Sequence, residues 1–245
     1  MKTERKFALI AGITLIFMAM AAIFTYGYIH NTLVVSGNPG ITVANLKANG
    51  GLFQTEILGW HAILLCDVIV AWALFHFFKN ENRKLSAITA GLRFVYTAIL
   101  GVGIMNFIYI LKIVNGNMTI ISESANQQIM AHFESFETLW SFGLIIFGFH
   151  LLLLGILALQ SNRIQNFWGI VLVFAAVSYM VIHTSKLLLP EFESQVKTVE
   201  TMLSLPMAFG EVGFAFWLII RGGKPRTVFR RDESELKVLN QEVIK

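Results

Sequence analysis

Long apolar stretches alternate with short polar segments along almost the whole chain. Six of these stretches are long enough for a helix to cross the hydrocarbon core of a bilayer, which takes about 20 residues. Glycine and proline mark the connections, as in SGNPG at 36–40 and RGGKP at 221–225. The predicted spans are 7–29, 53–78, 85–112, 133–159, 164–188 and 204–220.

The pattern predicts an all-α integral membrane protein, with a six-transmembrane-helix bundle in residues 1–222. A small surface helix is expected near 43–49, and residues 223–245 form a tail that is basic at first and then of mixed charge. Composition agrees, because only 14% of the residues are charged, against about 25% in a soluble domain. The main partner is therefore the lipid bilayer. No exposed stretch interleaves basic and aromatic residues, so a nucleic-acid partner is not expected.

The basic residues give the bundle a direction, because Lys and Arg accumulate in cytoplasmic loops. The loops 30–52, 113–132 and 189–203 carry few of them and are predicted to face outward, with both termini cytoplasmic. Tyr26, Tyr28, Trp60 and Trp140 are expected at the outer interface, and Trp168 and Trp217 at the inner one. The basic residues of the inner side are Lys2, Arg5, Lys6, Lys79, Arg83, Lys84, Arg163, Arg221, Lys224, Arg226, Arg230 and Arg231.

The first span has an alternative interpretation as a signal peptide. KTERK, an apolar run and the small residues around Ala19–Ala21 have the order of such a leader and its cleavage site. Cleavage would leave five spans in the same orientation, so the charges do not decide between the two. The apolar run continues to Ile29, which favours a retained span.

Four ionisable residues lie deep inside predicted spans. At a rise of about 1.5 Å per residue, Asp67, Arg93, Glu211 and His150 lie roughly 18, 13, 15 and 20 Å from the nearest basic residue of the inner side. All four fall in the middle third of a core about 30 Å thick. A lone charge there costs about 2.5–3.5 kcal/mol. Because the four come from separate helices, a shared interior is the cheapest arrangement.

Asp67 and Arg93 are the most favoured pair, because they belong to consecutive antiparallel helices joined by a short loop. The planar fork of arginine also matches a carboxylate. The partners of His150 and Glu211 stay open. Three alternatives are a hydrogen bond from His150 to Glu211, a contact of Glu211 with Arg93, and a protonated Glu211.

A second polar set lies near the outer ends of the spans: Glu56, His61, His132, Glu134, Glu137 and His183. Histidine and glutamate on several helix ends are compatible with a metal site, but no HExxH motif occurs, and polar residues are ordinary at an interface. We therefore predict no metal and no cofactor. His30 and His76 are predicted to be solvated, and the lone Cys66 excludes an internal disulfide.

Several segments together resemble a known family. TVANLKANGGLFQTEI, CDVIVAWALFHFF, LRFVYTAIL, FGFHLLLLGIL, WGIVLVFAAVSYM and LPMAFGEVGFAFWLIIRG occur here in that order. Their ordered set is similar to a family of bacterial multi-pass membrane proteins catalogued as domain of unknown function 4386, over about residues 7–222.

The resemblance implies a helical protein of the bacterial cytoplasmic membrane. It also implies that the recurring polar positions of the family fall on Asp67, Arg93, His150 and Glu211. One departure is that the family pattern leads us to expect an acidic residue near His183, and none is present. The family brings no reaction, substrate or cofactor with it.

Function is therefore predicted from the four midplane residues. The favoured hypothesis is a polar site that binds a small solute or a proton, in transport or in sensing. The alternative is a structural or assembly protein whose charge pair only locks the fold. A lipid-acting enzyme with His150 and Glu211 as acid and base is less favoured, since neither a nucleophile nor a metal is evident. The small protomer leaves little room for a large substrate path, which favours a homo-oligomer.

Overall fold

The computed structural model describes residues 2–116 and 122–224, and all regular structure in these ranges is helical. The predicted tail from residue 225 onward and the middle of the second outer loop, 117–121, lie outside the described residues. The helices are α1 (Lys2–Ala22), a π-helical segment (Ile23–His30), α2 (Asn31–Leu33), α3 (Pro39–Ala48), α4 (Gly50–Phe78), α5 (Arg83–Val114), α6 (Ser122–Gln160), α7 (Asn166–Leu188), a 3-10 turn (Pro190–Phe192) and α8 (Glu193–Ile220).

Six of the helical stretches are long and apolar enough to cross a membrane. They are α1 with its π-helical and α2 extension, and α4, α5, α6, α7 and α8. The protein is therefore a multi-pass membrane protein with an all-helical bundle.

The six helices close into a ring. Each long helix packs against its neighbours in the sequence, and α1 also packs against α8. The short helix α3 contacts α4, α5 and α6, so it covers one end of the bundle. We call this end the distal end, and the opposite end, where α1 begins and α8 ends, the terminal end.

Two helices begin well before the spans predicted from hydropathy. Helix α6 starts at Ser122 and α8 at Glu193, so parts of the predicted outer loops 113–132 and 189–203 are helical. Hydropathy identifies the part of a helix that lies in lipid. A helix can continue beyond that part through polar residues where no glycine or proline ends it. Most side chains of α8 before Pro206 are exposed, so this part of α8 stands away from the core.

Ion pairs join the connections at the terminal end. Arg163, between α6 and α7, pairs with Glu4 of α1 at 2.6 Å and with Glu81 of the α4–α5 connection. Partial burial disfavours the charged form of Arg163, but its hydrogen bonds with Glu81 and Glu4 outweigh this effect and raise its pKa above the ordinary value. Arg5 donates to the carbonyls of Leu218 and Gly222 at 3.1 and 2.9 Å, which satisfies the carboxyl end of α8.

Glycines allow the closest helix contacts. A Cβ on Gly155 of α6 would lie 3.0 Å from the carbonyl oxygen of Gly169 on α7, and a Cβ on Gly148 would lie 3.1 Å from that of Ala176. Gly148 and Gly155 therefore permit close approach of α6 and α7. Small residues give membrane helices this packing where the hydrophobic effect cannot drive association.

Gly12 makes the contact between α1 and α8 that closes the ring. A Cβ there would lie 2.7 Å from the carbonyl oxygen of Ala215, so Gly12→Ala must push two backbones apart. We expect it to destabilise the bundle by about 1–3 kcal/mol, the usual cost of overpacking. Gly91→Ala is the matched control, because a Cβ on Gly91 meets nothing within 4 Å. Thermal unfolding in detergent measures both variants, and equal unfolding temperatures would contradict the prediction.

Candidate functional site

Asp67 and Arg93 form an ion pair in the centre of the ring. Arg93 Nε and Nη2 donate to Asp67 Oδ1 at 2.9 and 2.6 Å, and each side chain is 1% exposed. The predicted pairing is confirmed, because consecutive antiparallel helices place the two residues side by side. The geometry departs from a two-oxygen fork, since both bonds reach the same oxygen and Oδ2 has no hydrogen-bond partner among the residues that the structure describes.

His150 of α6 extends this pair to a third helix. Its Nδ1 lies 2.8 Å from the carbonyl oxygen of Thr89, and its Nε2 lies 3.2 Å from Arg93 Nη1. A carbonyl oxygen only accepts, so Nδ1 carries the hydrogen and Nε2 accepts from Arg93. His150 is therefore a neutral imidazole that orients the guanidinium. The alternative in which His150 donates to Glu211 is wrong.

Two apolar contacts complete the surroundings of Arg93. The guanidinium carbon lies 5.2 Å from the centre of the Phe147 ring, and Nη2 lies 3.7 Å from Met18 Sδ of α1. An aromatic face attracts a cation through its quadrupole. Arg93 thus joins α1, α4, α5 and α6, and we call Asp67, Arg93 and His150 the central triad.

Glu211 lies outside the central triad. Its Oε1 accepts a hydrogen bond of 2.8 Å from the Tyr179 hydroxyl of α7. The Tyr179 ring meets Phe147 edge to face, with centroids 5.4 Å apart, and Phe147 in turn lies under the guanidinium of Arg93. Within the described residues Glu211 forms no ion pair, and its side chain is partly exposed. Glu211 therefore does not share Arg93.

Sequence reasoning missed Tyr179, the hydrogen-bond partner of Glu211. It lies in the apolar part of the fifth span, one turn before His183. A tyrosine at such a depth needs a partner for its hydroxyl, and this was the available signal. Its partner depends on how α7 and α8 are rotated toward each other, which a single helix pattern does not contain.

The outer polar set divides into separate pairs and forms no cluster. Glu56 bonds His30 at 2.7 Å, His132 bonds Asn106 at 2.9 Å, and His183 approaches Ser141 at 3.3 Å. In the ranges that the structure describes, no group of three or more metal-ligating side chains is found.

The prediction that His30 is solvated is wrong. The first span continues as a π-helix through His30 and carries it into the bundle, where its side chain is 5% exposed. The ring stacks on Tyr26 with centroids 5.0 Å apart and meets Phe133 edge to face at 5.6 Å. The tertiary packing of this segment, and not its local polarity, decides its position.

Three residues predicted at the outer interface contact one another in the distal half. Trp60 and Trp140 meet at a centroid distance of 5.2 Å, and Tyr26 meets Trp140 at 4.9 Å. Trp60 is 2% exposed, so it does not reach an interface. The aromatic residues of this half line the interior above the central triad.

Toward the terminal end the interior is closed. A crevice of about 170 Å³ reaches His150 between α4, α5 and α6, but it is too narrow to hold a water molecule. Its lining is mainly apolar: Leu74, Phe75, Phe78, Ser86, Thr89, Ala90, His150, Leu154 and Leu157.

The comparisons with known proteins identify the family of this chain. A family model described as "Domain of unknown function (DUF4386)" matches residues 10–222, which include Asp67, Arg93, His150 and Glu211. The chain belongs to the DUF4386 family. This confirms the resemblance found in the sequence motifs.

This DUF4386 chain is also similar to a protein of the archaeon Archaeoglobus fulgidus, which carries the name "Uncharacterized protein". The two are 27% identical over 169 residues, which cover 69% of this chain and 85% of the relative. No solved structure matches the chain. The comparisons therefore establish the family and leave the activity to be argued from the site.

Proposed function

We propose that this DUF4386 protein binds a proton or a small solute at its midplane, in transport or in sensing, and that Glu211 is the exchanging group. The observation that supports this is the state of its carboxyl group, which is partly exposed and hydrogen-bonded by the Tyr179 hydroxyl without a described basic partner. A lone charge at this depth costs about 2.5–3.5 kcal/mol. Uptake of a proton or a cation removes that charge.

In this proposal the central triad is the fixed frame of the site. Asp67, Arg93 and His150 are each at most 1% exposed and bonded to one another. A solute would have to break these bonds to bind there. We therefore assign the structural role, which the sequence left as an alternative, to these three residues, and the exchange of a proton or solute to Glu211.

Access from the distal half is supported by incomplete burial of side chains that contact the interior. Met18 touches Arg93, Tyr26 touches Trp140, and Tyr179 touches Glu211. Arg93 is buried, but the other five side chains are partly exposed. The crevice at the terminal end admits no water. We therefore propose that the site communicates with the distal side.

The orientation and location follow from charge. The terminal end carries Lys79, Arg83, Lys84, Arg163 and Arg221, which favours a cytoplasmic position for both termini. We propose the bacterial cytoplasmic membrane as the location. A homo-oligomer would enlarge the path available to a solute beyond that of one small protomer.

Carbodiimide labelling tests the exchanging role of Glu211. Dicyclohexylcarbodiimide is apolar and adds to a protonated carboxyl group to give a stable acylurea, so it reports acids that hold a proton within the membrane. We expect mass spectrometry of the purified protein to show the adduct on Glu211. Asp67 should stay unmodified, because Arg93 holds it as a buried carboxylate.

Glu211→Gln should remove the adduct, and Glu134→Gln is the matched control, because Glu134 is an exposed acid of α6. The wild type should also take up a proton near the pH at which labelling disappears, and Glu211→Gln should not. An unlabelled Glu211 at every pH at which the protein is folded would overturn the proposal.

A further inference from the structure

A second buried pair of titratable groups lies in the distal half. Nδ1 of His30, the last residue of the π-helical segment, lies 2.7 Å from Oε1 of Glu56 on α4, and the two side chains are 5% and 0% exposed. Glu56 precedes Asp67 on the same helix, and the intervening residues correspond to roughly 16 Å at a rise of about 1.5 Å per residue. The pair is therefore separate from the central triad.

The proton content of this pair is variable, unlike that of Asp67 and Arg93. Arginine keeps its proton at every pH at which proteins fold, whereas histidine and glutamate both exchange theirs. With one exchangeable proton the His30–Glu56 pair is neutral, without it the pair has a net negative charge, and with a second proton it has a net positive charge. Because a buried uncompensated charge is costly, the state with one proton is the stable one.

The bonding of Glu56 indicates where this proton lies. Glu56 Oε2 is buried and has no hydrogen-bond partner among the described residues. If Oε1 carries the proton and donates it to His30 Nδ1, Oε2 becomes the oxygen of a neutral carbonyl group. A buried acceptor without a partner costs less when it is neutral than when it is charged. The geometry therefore favours an uncharged carboxyl group that donates to an uncharged imidazole.

The surroundings of the pair are mainly aromatic. The His30 ring stacks on Tyr26 at a centroid distance of 5.0 Å and contacts Phe133 and Phe107 at 5.6 and 6.4 Å. Among the described residues, other titratable side chains on the distal turns of α3, α4, α5 and α6 are exposed or bonded elsewhere: Lys47, His61, Tyr109, Lys112, His132, Glu134 and Glu137. The charge of the pair is thus set by its own proton.

The π-helical segment places His30 opposite Glu56. π-helical turns are rare and occur frequently at functional sites. Thr25 of this segment packs directly on Gly59 of α4, where a Cβ would overlap the Thr25 side chain. Gly59 follows Glu56 by one helical turn, so this close approach holds the segment against α4 beside Glu56.

A short route joins the pair to the distal surface. His30 is followed by the exposed polar residues Asn31 and Thr32, and α2 ends at Leu33. The Tyr26 ring that stacks on His30 is itself partly exposed. A local movement of this segment is therefore sufficient for a proton to pass between the imidazole and the distal side.

We infer that His30 and Glu56 form a second proton-binding site, which holds one proton in the hydrogen bond between them and exchanges it with the distal side. The site acts independently of Glu211, so the inference goes beyond the proposed function. Loss of the proton leaves a buried negative charge on the contact between the first span and α4. The proton thus controls how firmly these two helices are joined.

The tautomer of His30 provides the test. In the proton-bound state Nδ1 accepts from Glu56, so the imidazole carries its hydrogen on Nε2. After the proton has left, the carboxylate can only accept, and the hydrogen of the imidazole must move to Nδ1. NMR of the ring nitrogens distinguishes these two tautomers from each other and from imidazolium, in purified protein that contains isotope-labelled histidine.

Two signals are recorded while the pH is raised. His30→Gln assigns the His30 ring nitrogens, and Glu56→Gln assigns the infrared C=O stretching band of the protonated Glu56 carboxyl group. We expect the tautomer change and the loss of this band to occur in one step, with the release of about one proton, because the two groups share a single site.

Matched variants show whether the step belongs to this pair. Glu56→Gln should abolish the tautomer change of His30, whereas Glu134→Gln, at an exposed acid of α6, should not. Glu211→Gln should leave the step in place. His132 is an internal control, because it bonds the neutral Asn106 side chain. If Glu56→Gln does not fold, the joint change of one histidine and one carboxyl band in the wild type still decides.

His30 signals that stay in one state at every pH at which the protein is folded would overturn the inference. An imidazolium signal of His30 without a carboxyl band of Glu56 would also overturn it, because it would show a fixed ion pair. Neither outcome affects carbodiimide labelling of Glu211, so a failure of this second site is distinguishable from a failure of the proposed function.

Discussion

Asp67→Leu is expected to destabilise the folded protein by about 3–5 kcal/mol, the usual cost of removing one partner of a buried ion pair. Arg93 would keep its charge, its side chain is 1% exposed, and among the described residues Asp67 is the one carboxylate bonded to it. His150 Nε2 at 3.2 Å cannot neutralise it. Loss of folded material from the membrane and a lower unfolding temperature in detergent are the measurements.

The double variant Asp67→Leu with Arg93→Met separates the charge from the shape of the pair. Replacing both partners by apolar residues of similar volume is often neutral or stabilising, so we expect most of the lost stability to return. His150 Nε2 then loses its donor, which leaves a deficit of about 1 kcal/mol. A double variant as unstable as Asp67→Leu would show that the triad contributes specific geometry beyond charge neutralisation.

Glu211→Gln is expected to have the opposite profile, with stability kept and function lost. The amide oxygen still accepts the hydrogen bond from Tyr179, now at 2.8 Å to the carboxylate, and no described ion pair is broken. Removing the charge also avoids a penalty of about 2.5–3.5 kcal/mol for an ionised group at this depth. The unfolding temperature should therefore equal or exceed that of the wild type, while proton uptake disappears.

Tyr179→Phe is the companion variant, because it removes the hydroxyl that bonds Glu211 and keeps the ring against Phe147. We expect it to retain the carbodiimide adduct on Glu211 and to alter the pH at which the adduct disappears. A fall in stability of Glu211→Gln as large as that of Asp67→Leu would assign Glu211 to the structural frame instead.

The expected results for Asp67→Leu and Glu211→Gln distinguish a residue that stabilises the fold from a residue that exchanges a proton. From the sequence, Asp67, Arg93, His150 and Glu211 share a depth, and only the pairing of Asp67 with Arg93 is favoured. Burial and bonding divide them, because three are buried and bond to one another, whereas the fourth is partly exposed and bonds the Tyr179 hydroxyl. The depth of a residue in the membrane sets the free-energy cost of its charge, and the neighbouring side chains determine how that cost is offset.

The sequence by itself determined the properties that depend on position along one helix or on the contact of consecutive helices. Hydropathy over about 20 residues identifies a span regardless of its neighbours, so the six long helices were predicted. The Asp67–Arg93 pair was also predictable, since a short connection forces consecutive helices to lie side by side. The extra turns of α6 and α8 were missed, because hydropathy ends where lipid ends and a helix need not.

Only the tertiary structure decided which residues face one another across the ring. Tyr179 with Glu211 and His30 with Glu56 depend on the rotation of each helix about its axis, and an almost uniformly apolar helix carries little amphipathic signal to set that rotation. The rotation is set instead where small residues such as Gly12 let two helices distant in the sequence approach each other closely. The site therefore becomes visible only once the ring has closed.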